Sequence, residues 1–183
     1  MALITRRAVL AAAGGTVAAA WWPRKPQAQD LQDLRTALKR SDPPVAAPDI
    51  RFVDANGGEH RLSEFRGHGM VINLWATWCV PCVAEMPSLA TLSKTLAPAD
   101  IAVLPLSSDR GGAAAVQAFF RKHEIGGLPV LLDPQGAASQ SFGVEGIPVT
   151  VIVDKAGREQ ARLEGSADWS TPLAAAVVRK LVG

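Results

Sequence analysis

The chain contains two cysteines, and they stand close together between an apolar segment and a segment with helical periodicity. The apolar segment, residues 70–75, predicts a buried strand. The segment from Cys82 to about Leu96 predicts a helix with one apolar face, because its large apolar residues recur at steps of three and four: Met86, Leu89, Leu92 and Leu96. A strand, a short Cys-x-x-Cys loop and a helix in succession predict an α/β fold with the first cysteine at a helix N-terminus.

The placement of Cys79 and Cys82 favours redox chemistry over a structural role. A bridge that closes so short a loop removes little entropy from the unfolded chain, so it would stabilise the fold only weakly. Unpaired N–H groups and the dipole at a helix N-terminus lower a thiol pKa from about 8.5 to roughly 3.5 to 7.5. We therefore expect Cys79 to be the nucleophile and Cys82 to resolve the mixed disulfide, with Pro81 fixing the backbone between them.

Metal and haem interpretations of the same motif are weaker. Covalent haem attachment needs a histidine directly after the second cysteine, and Val83 occupies that position. A structural zinc site needs four ligands, but the chain has no second cysteine pair, and His60, His68 and His123 are scattered along it. We expect no metal site and no cofactor. One alternative of a different class stays open, a copper-handling module, because Cu(I) prefers thiolate ligands, although only Met86 lies near as a further soft ligand.

Strands and helices alternate through the rest of the body. Asn56-Gly57-Gly58 between two short apolar runs predicts an N-terminal β-hairpin. Thr171 and Pro172 predict the start of a last helix, with Leu173, Val177 and Leu181 on its apolar face. The other elements are predicted as strands over residues 101–106, 130–132, 150–153 and 158–163, and helices over residues 113–123 and 137–142. We expect an α/β sandwich with a central mixed sheet flanked by helices.

Residues 1–29 have the layout of an export signal, which predicts a periplasmic protein. Arg6 and Arg7 precede an uncharged, weakly apolar stretch and are typical of a twin-arginine signal. That stretch of about 15 residues is shorter than the roughly 20 that a spanning helix needs, so a membrane-anchored form is the less favoured alternative. Residues 30–45, with leucines at helical spacing followed by Pro43 and Pro44, predict a helical and proline-rich linker to a folded domain at residues 46–183.

The charge of the body argues against a nucleic-acid partner. The chain has 19 basic and 17 acidic residues, but several of the basic ones lie in the leader: Arg6, Arg7, Arg24 and Lys25. The body is therefore close to neutral and lacks the basic stripe that phosphate binding needs.

Three separated stretches carry a resemblance to a known family. They are Ala47-Pro48-Asp49, the run Asn73-Leu74-Trp75-Ala76-Thr77-Trp78-Cys79-Val80-Pro81-Cys82 with Glu85 and Pro87, and the run from Phe142 to Thr150. In these stretches the chain resembles the thioredoxin-like reductases of the TlpA and ResA type. The resemblance implies a thioredoxin-like fold and reduction of protein disulfides outside the cytoplasm, frequently in cytochrome c assembly. In such a location a membrane thiol-disulfide donor would have to supply the electrons.

The resemblance also implies roles for residues outside the cysteine pair. Pro148 matches the cis-proline that faces the cysteines, and Ile147 before it would offer its backbone to a substrate chain. Trp75 and Trp78 would flank and shield the loop, and Trp78 and Pro81 would contact the substrate.

Glu85 and the two residues between the cysteines bear on proton and electron transfer. A glutamate at this place tunes the cysteines in the resembled reductases, so we expect Glu85 to exchange a proton with the buried thiol. Val80 and Pro81 offer no charge or histidine that would strongly stabilise a thiolate. Because potentials in this superfamily rise from about −270 to about −120 mV as the reduced form is stabilised, we favour a reductant. A disulfide-forming oxidant stays open as the alternative.

Overall fold

An eight-stranded mixed sheet forms the centre of the computed structural model, which describes residues 34–183. The strands are β1 Lys39–Ala46, β2 Arg51–Asp54, β3 Glu59–Arg61, β4 Gly69–Trp75, β5 Ile101–Ser107, β6 Leu131–Leu132, β7 Val149–Val153 and β8 Arg158–Glu164. Their order across the sheet is β1-β8-β7-β4-β5-β6-β2-β3. Strands β4, β5 and β6 run parallel, and the other neighbouring pairs are antiparallel. The predicted export signal, residues 1–29, lies outside the described residues.

Helices cover both faces of this sheet. They are α1 Val80–Leu96, α2 Gly112–Lys122, α3 Ala137–Ser141 and α4 Pro172–Val182, with short 3₁₀ turns at Leu62–Phe65 and Ala97–Ala99. One core joins α1, α2 and α4 to one face, and a second core joins α3 and the β2–β3 hairpin to the other. The predicted thioredoxin-like sandwich of a mixed sheet between helices is confirmed. No helix within residues 34–183 is both long and apolar enough to cross a membrane.

Strand β1 overlaps residues 30–45, where the sequence predicts a helical and proline-rich linker. Within residues 34–46, only residues 34–37 are helical. Residues 39–46 then pair with β8, with an irregular register between Arg40 and Val45. Proline cannot donate to a sheet ladder, but an edge strand tolerates it because one side of that strand has no partner. The proline-rich segment is therefore an edge strand of the sheet instead of a linker to it.

The parallel pairing of β4 and β5 brings two loops together at one end of the sheet. Gly69 is paired with Ile101 at the start of the strands and Trp75 with Ser107 at their ends. Because parallel strands end at the same edge, the loop after β4, which carries Cys79, lies beside the loop after β5. The elements that position the cysteines are thus set by two largely buried strands at the centre of the sheet.

Helix α4 buries a different stripe from the predicted one. Thr171 caps it as expected, since its Oγ1 accepts a hydrogen bond from the Ala174 N–H at 3.2 Å. Its buried residues are Ala174, Ala175, Val178, Leu181 and Val182, whereas Leu173 and Val177 are only half-buried. Steps of three and four define two overlapping stripes on such a helix, and the chosen stripe contains the small residues that allow close approach to the sheet.

Candidate active site

Cys79 caps the N-terminus of α1. Its backbone is extended, and its Sγ accepts a hydrogen bond from the Cys82 N–H at 3.3 Å. Pro81 occupies the first turn, where the missing proline N–H would have no helical partner anyway. Cys79 and Cys82 are joined by a disulfide with an S–S distance of 2.05 Å, and both side chains are buried. The N–H group and the helix dipole that face Sγ in this state are available to a thiolate after reduction.

Exposed apolar side chains cover the surface next to the buried disulfide. Trp78 is 68% exposed and Val80 is 79% exposed, and Pro81 beside them is exposed as well. Trp75 does not share this position, although the sequence suggests that it flanks the loop. It is buried, with its ring centroid 5.3 Å from that of Phe119 in α2, because the alternation of β4 directs it into the core.

The loop before β7 faces Cys79 from the other side. The Ile147–Pro148 peptide bond is cis, and the Ile147 carbonyl oxygen lies 3.7 Å from the Cys79 Sγ. A cavity of about 370 Å³ begins at this point, lined by residues 143–149 together with Glu164 and Gly165. The structure therefore brings the Cys79–Cys82 pair beside Ile147 and Pro148, although the two pairs are more than 60 positions apart in the sequence.

Glu85 is buried one helical turn after Cys82, with only 2% of its surface exposed. Its carboxylate accepts hydrogen bonds from Asn73 Nδ2 at 2.9 Å, from the Ala167 N–H at 3.2 Å and from Trp169 Nε1 at 3.3 Å. Burial raises the pKa of this carboxyl above its ordinary value of 4.5, and the three hydrogen bonds oppose part of that increase. An exposed surface glutamate is therefore not what this position holds, while its role in proton exchange stays a prediction.

Several residues of the site carry no signal in the sequence. Trp169 and Thr150 belong to the Glu85 network, the latter because Asn73 Nδ2 also donates to its Oγ1 at 3.0 Å. Asp109, in the loop after β5, holds the segment just before Cys79. These residues meet only through the tertiary fold, so neither spacing nor residue type could have identified them.

The histidines that the sequence analysis considers as metal ligands do not form a group: the His123 ring centroid lies 4.4 Å from that of Phe119, and the other two contact carboxylates. His60 contacts Asp54 and Glu64 in the hairpin region, and His68 contacts Asp100. Within residues 34–183, no group of three or more His, Cys, Asp or Glu side chains is arranged to hold a metal ion.

Comparisons with known proteins match the body of the chain. The model of the AhpC/TSA family matches residues 44–160, a segment that contains Cys79, Cys82 and Pro148. Thiol-disulfide oxidoreductase ResA of Geobacillus thermodenitrificans is 31% identical over 120 residues, which cover 66% of this chain and 68% of that protein.

Two solved structures share the fold. A secreted thiol-disulfide isomerase from Corynebacterium glutamicum superposes with a TM-score of 0.65 at 22% identity, covering 78% of this chain and 90% of that chain. The exposed lipoprotein thioredoxin of Streptococcus pneumoniae superposes with a TM-score of 0.59 at 25% identity, covering 73% of this chain and 98% of that chain.

Proposed function

Because the chain belongs to the AhpC/TSA family and is a ResA-like thiol-disulfide oxidoreductase within it, we propose that it reduces disulfides of periplasmic proteins. The observation that carries this proposal is the position of the Cys79 Sγ at the N-terminus of α1, 3.3 Å from the Cys82 N–H and 3.7 Å from the Ile147 carbonyl oxygen. One sulfur thus has both a group that stabilises its thiolate and an adjacent backbone edge for a substrate.

The first chemical step is attack by the Cys79 thiolate on one sulfur of a substrate disulfide. A bond forms between Cys79 Sγ and that sulfur, the substrate S–S bond breaks, and the leaving thiolate takes a proton. In the second step Cys82 loses its proton and attacks Cys79 Sγ, which releases the second substrate thiol. The protein ends with the Cys79–Cys82 disulfide, and two electrons and two protons have passed to the substrate.

Glu85 is the proposed acceptor of the Cys82 proton. The two residues are three positions apart in α1 and so project from the same side of the helix. Cys82 is fully buried, so its proton has no direct route to water. A carboxylate whose pKa burial has raised is a better proton acceptor than an ordinary exposed glutamate.

The substrate is proposed to lie along Ile147 with its apolar side chains on Trp78 and Pro81. The Ile147 carbonyl lies at the mouth of the cavity beside Pro148 and accepts no backbone hydrogen bond within residues 34–183. An extended substrate segment can therefore pair with it as an added strand. The exposed Trp78 ring offers a large apolar contact surface next to the reacting sulfur.

Reduction is favoured over oxidation because Val80 and Pro81 place no charge between the cysteines. The leader, residues 1–29, supports export, and in the periplasm a membrane thiol-disulfide protein would return the electrons. Proteins of cytochrome c assembly are the proposed substrate class, because the resemblance to the TlpA and ResA type of reductase implies it.

Trapping a mixed disulfide tests the exchange chemistry. The Cys82→Ser variant of the full chain should accumulate a covalent adduct with native insulin, whose disulfides are intact, because its Cys79 cannot be released, whereas Cys79→Ser should form none. Reduced and carboxymethylated insulin, which has no disulfide, should form no adduct with either variant. The reduction potential of the wild type tests the direction of electron flow. Equilibration of the wild type against dithiothreitol should yield a potential closer to about −270 than to −120 mV. Failure of Cys82→Ser to form an adduct through position 79 would remove the proposed nucleophile.

Export is tested by cell fractionation. The full chain should reach the periplasmic fraction, and replacing Arg6 and Arg7 with lysine should retain it inside the cell if the twin-arginine route is used. Unimpaired export of that double variant would assign the leader to a different route.

A further inference from the structure

The loop after β5 is hydrogen-bonded to the loop that carries the nucleophile. Asp109 is only 4% exposed, and its carboxylate accepts hydrogen bonds from the Thr77 N–H at 2.8 Å, the Thr77 hydroxyl at 2.6 Å and the Ser107 hydroxyl at 2.7 Å. Hydrogen bonds to a charged acceptor are the strong kind, and a buried carboxylate needs several of them. Thr77 is therefore held at two of its atoms by one buried anion.

Thr77 is the second residue of a tight turn that ends on Cys79. The Cys79 N–H donates to the Ala76 carbonyl at 3.2 Å, which closes the turn over residues 76–79. The turn is also fixed before its start, because the Trp75 carbonyl accepts hydrogen bonds from the Ser108 N–H at 3.0 Å and from the Ser108 hydroxyl at 3.3 Å. Asp109 thus constrains the middle of a segment whose last residue is the helix cap.

We propose that Asp109 is a positioning residue that acts through Thr77 to aim the Cys79 Sγ at the Cys82 N–H. This inference rests on the proposed function, in which Cys79 is the nucleophile. The distance between Sγ and the Cys82 nitrogen is 3.3 Å, and hydrogen bonds weaken steeply as distance and angle depart from their optimum. A turn released from Asp109 lets Sγ move away from the N–H group, so less of the Cys79 thiol is ionised at a given pH.

A second buried aspartate provides a matched control. Asp154 is buried in the turn after β7, where its carboxylate accepts hydrogen bonds from the Ala156 and Arg158 N–H groups, both at 2.9 Å. Strand β7 is antiparallel to β4, and its end at Val153 pairs with Met70 near the start of β4. Asp154 therefore stabilises the same sheet from the end opposite to the cysteines.

The test is the rate of Cys79 alkylation by iodoacetamide as a function of pH, measured on the reduced full chain. Thr77→Val removes the hydroxyl but keeps the Asp109 charge, so it isolates the positioning effect. We expect alkylation below the thiol pKa to slow by about threefold, because only the thiolate reacts. Thr77→Ser, which keeps both donors, should stay within about twofold of wild type, and Asp154→Asn should lower the unfolding midpoint without moving the alkylation profile.

A double-mutant cycle assigns the effect to Asp109. Asp109→Ala removes a negative charge as well as the contact, so its own effect combines two contributions of opposite sign. In the Asp109→Ala background, Thr77→Val should cause no further slowing, since the hydroxyl has lost its acceptor. If Thr77→Val does not fold, Thr77→Ala takes its place in the cycle.

The proposal is overturned if Thr77→Val alkylates at the wild-type rate, or if it slows alkylation equally with and without Asp109. Either result leaves the proposed function intact as long as the wild type reduces insulin. Conversely, if iodoacetamide alkylates Cys79 of the wild type but the wild type reduces no disulfide, the proposed function is wrong. The positioning role of Asp109 is then still supported by the alkylation rates.

Discussion

Replacing Glu85 with glutamine removes an ionisable group from the core with little change in shape. In the folded protein burial raises the pKa of Glu85 above 4.5, while the unfolded chain keeps the ordinary value. Between those two pKa values the folded protein holds a proton that the unfolded chain has lost. The contribution of Glu85 to the free energy of unfolding is therefore full below pH 4.5 and is lost as the pH rises through the folded pKa. The loss is at most about 1.4 kcal/mol for each pH unit between the two pKa values.

The hydrogen-bond network can accept the glutamine. Its oxygen can take the Ala167 and Trp169 N–H donors, and its amide can donate to Asn73 if the Asn73 side chain turns over. Asn73 Oδ1 has no hydrogen-bond partner within residues 34–183, so it is free to accept from the new amide. The turn also ends the hydrogen bond from Asn73 Nδ2 to Thr150 Oγ1, and the Thr150 hydroxyl would then donate to Oδ1 instead. Glu85→Ala, in contrast, leaves buried donors unpaired at about 1 to 3 kcal/mol each and should be strongly destabilising.

The assay is urea unfolding of the disulfide form between pH 4.5 and 8, in which the thiols do not titrate. The stability of the wild type relative to Glu85→Gln should fall as the pH rises. Glu145→Gln, at an exposed loop position, is the control for removing one carboxyl outside the core. A wild-type-minus-Glu85→Gln difference that is flat, or that grows with pH, would refute the assigned direction of the Glu85 pKa.

Three further substitutions test packing, capping and the substrate face. Gly69→Ala should lower the free energy of unfolding, measured in urea, by about 1 to 3 kcal/mol, because its Cβ would overlap the Val182 side chain. A variant as stable as the wild type would mean that α4 can move away. Thr171→Ala should cost about 1 kcal/mol through loss of the hydrogen bond from the Ala174 N–H, and Thr171→Ser should not, with equal melting temperatures for the two speaking against the cap. Trp78→Ala should raise the KM for insulin several-fold while leaving the alkylation rate of Cys79 unchanged; an unchanged KM would exclude Trp78 from the substrate face.

The elements with strong local patterns could be read from the sequence. The strand predicted over residues 101–106 is β5 Ile101–Ser107, and the helix predicted over residues 113–123 is α2 Gly112–Lys122. Helix α1 starts at Val80, two residues before the predicted start at Cys82, because Pro81 fits the first turn of a helix. The agreement arises because an element that buries one face has apolar residues spaced at the period of that element.

The differences arise where distant segments decide the structure. The composition of β1 is that of a linker, and only its pairing with β8, more than 100 residues later, makes it a strand. Glu85 looks like an exposed helix residue because its partners Ala167 and Trp169 lie more than 80 positions away. Asp109 follows the same rule, since its contact with Thr77 exists only because β4 and β5 end together.

The pairing of β1 with β8 also fixes where the polypeptide joins the domain. Lys39, at the start of β1, lies beside Arg162, and Glu164 two residues later is paired with Val149, the residue after the cis-proline. The start of β1 is therefore on the same side of the molecule as the redox cysteines. For a retained leader, the chain would enter the domain near the redox cysteines, which would place them within reach of the proposed membrane electron donor. If the leader is removed, the same face is freed to meet substrates at a distance.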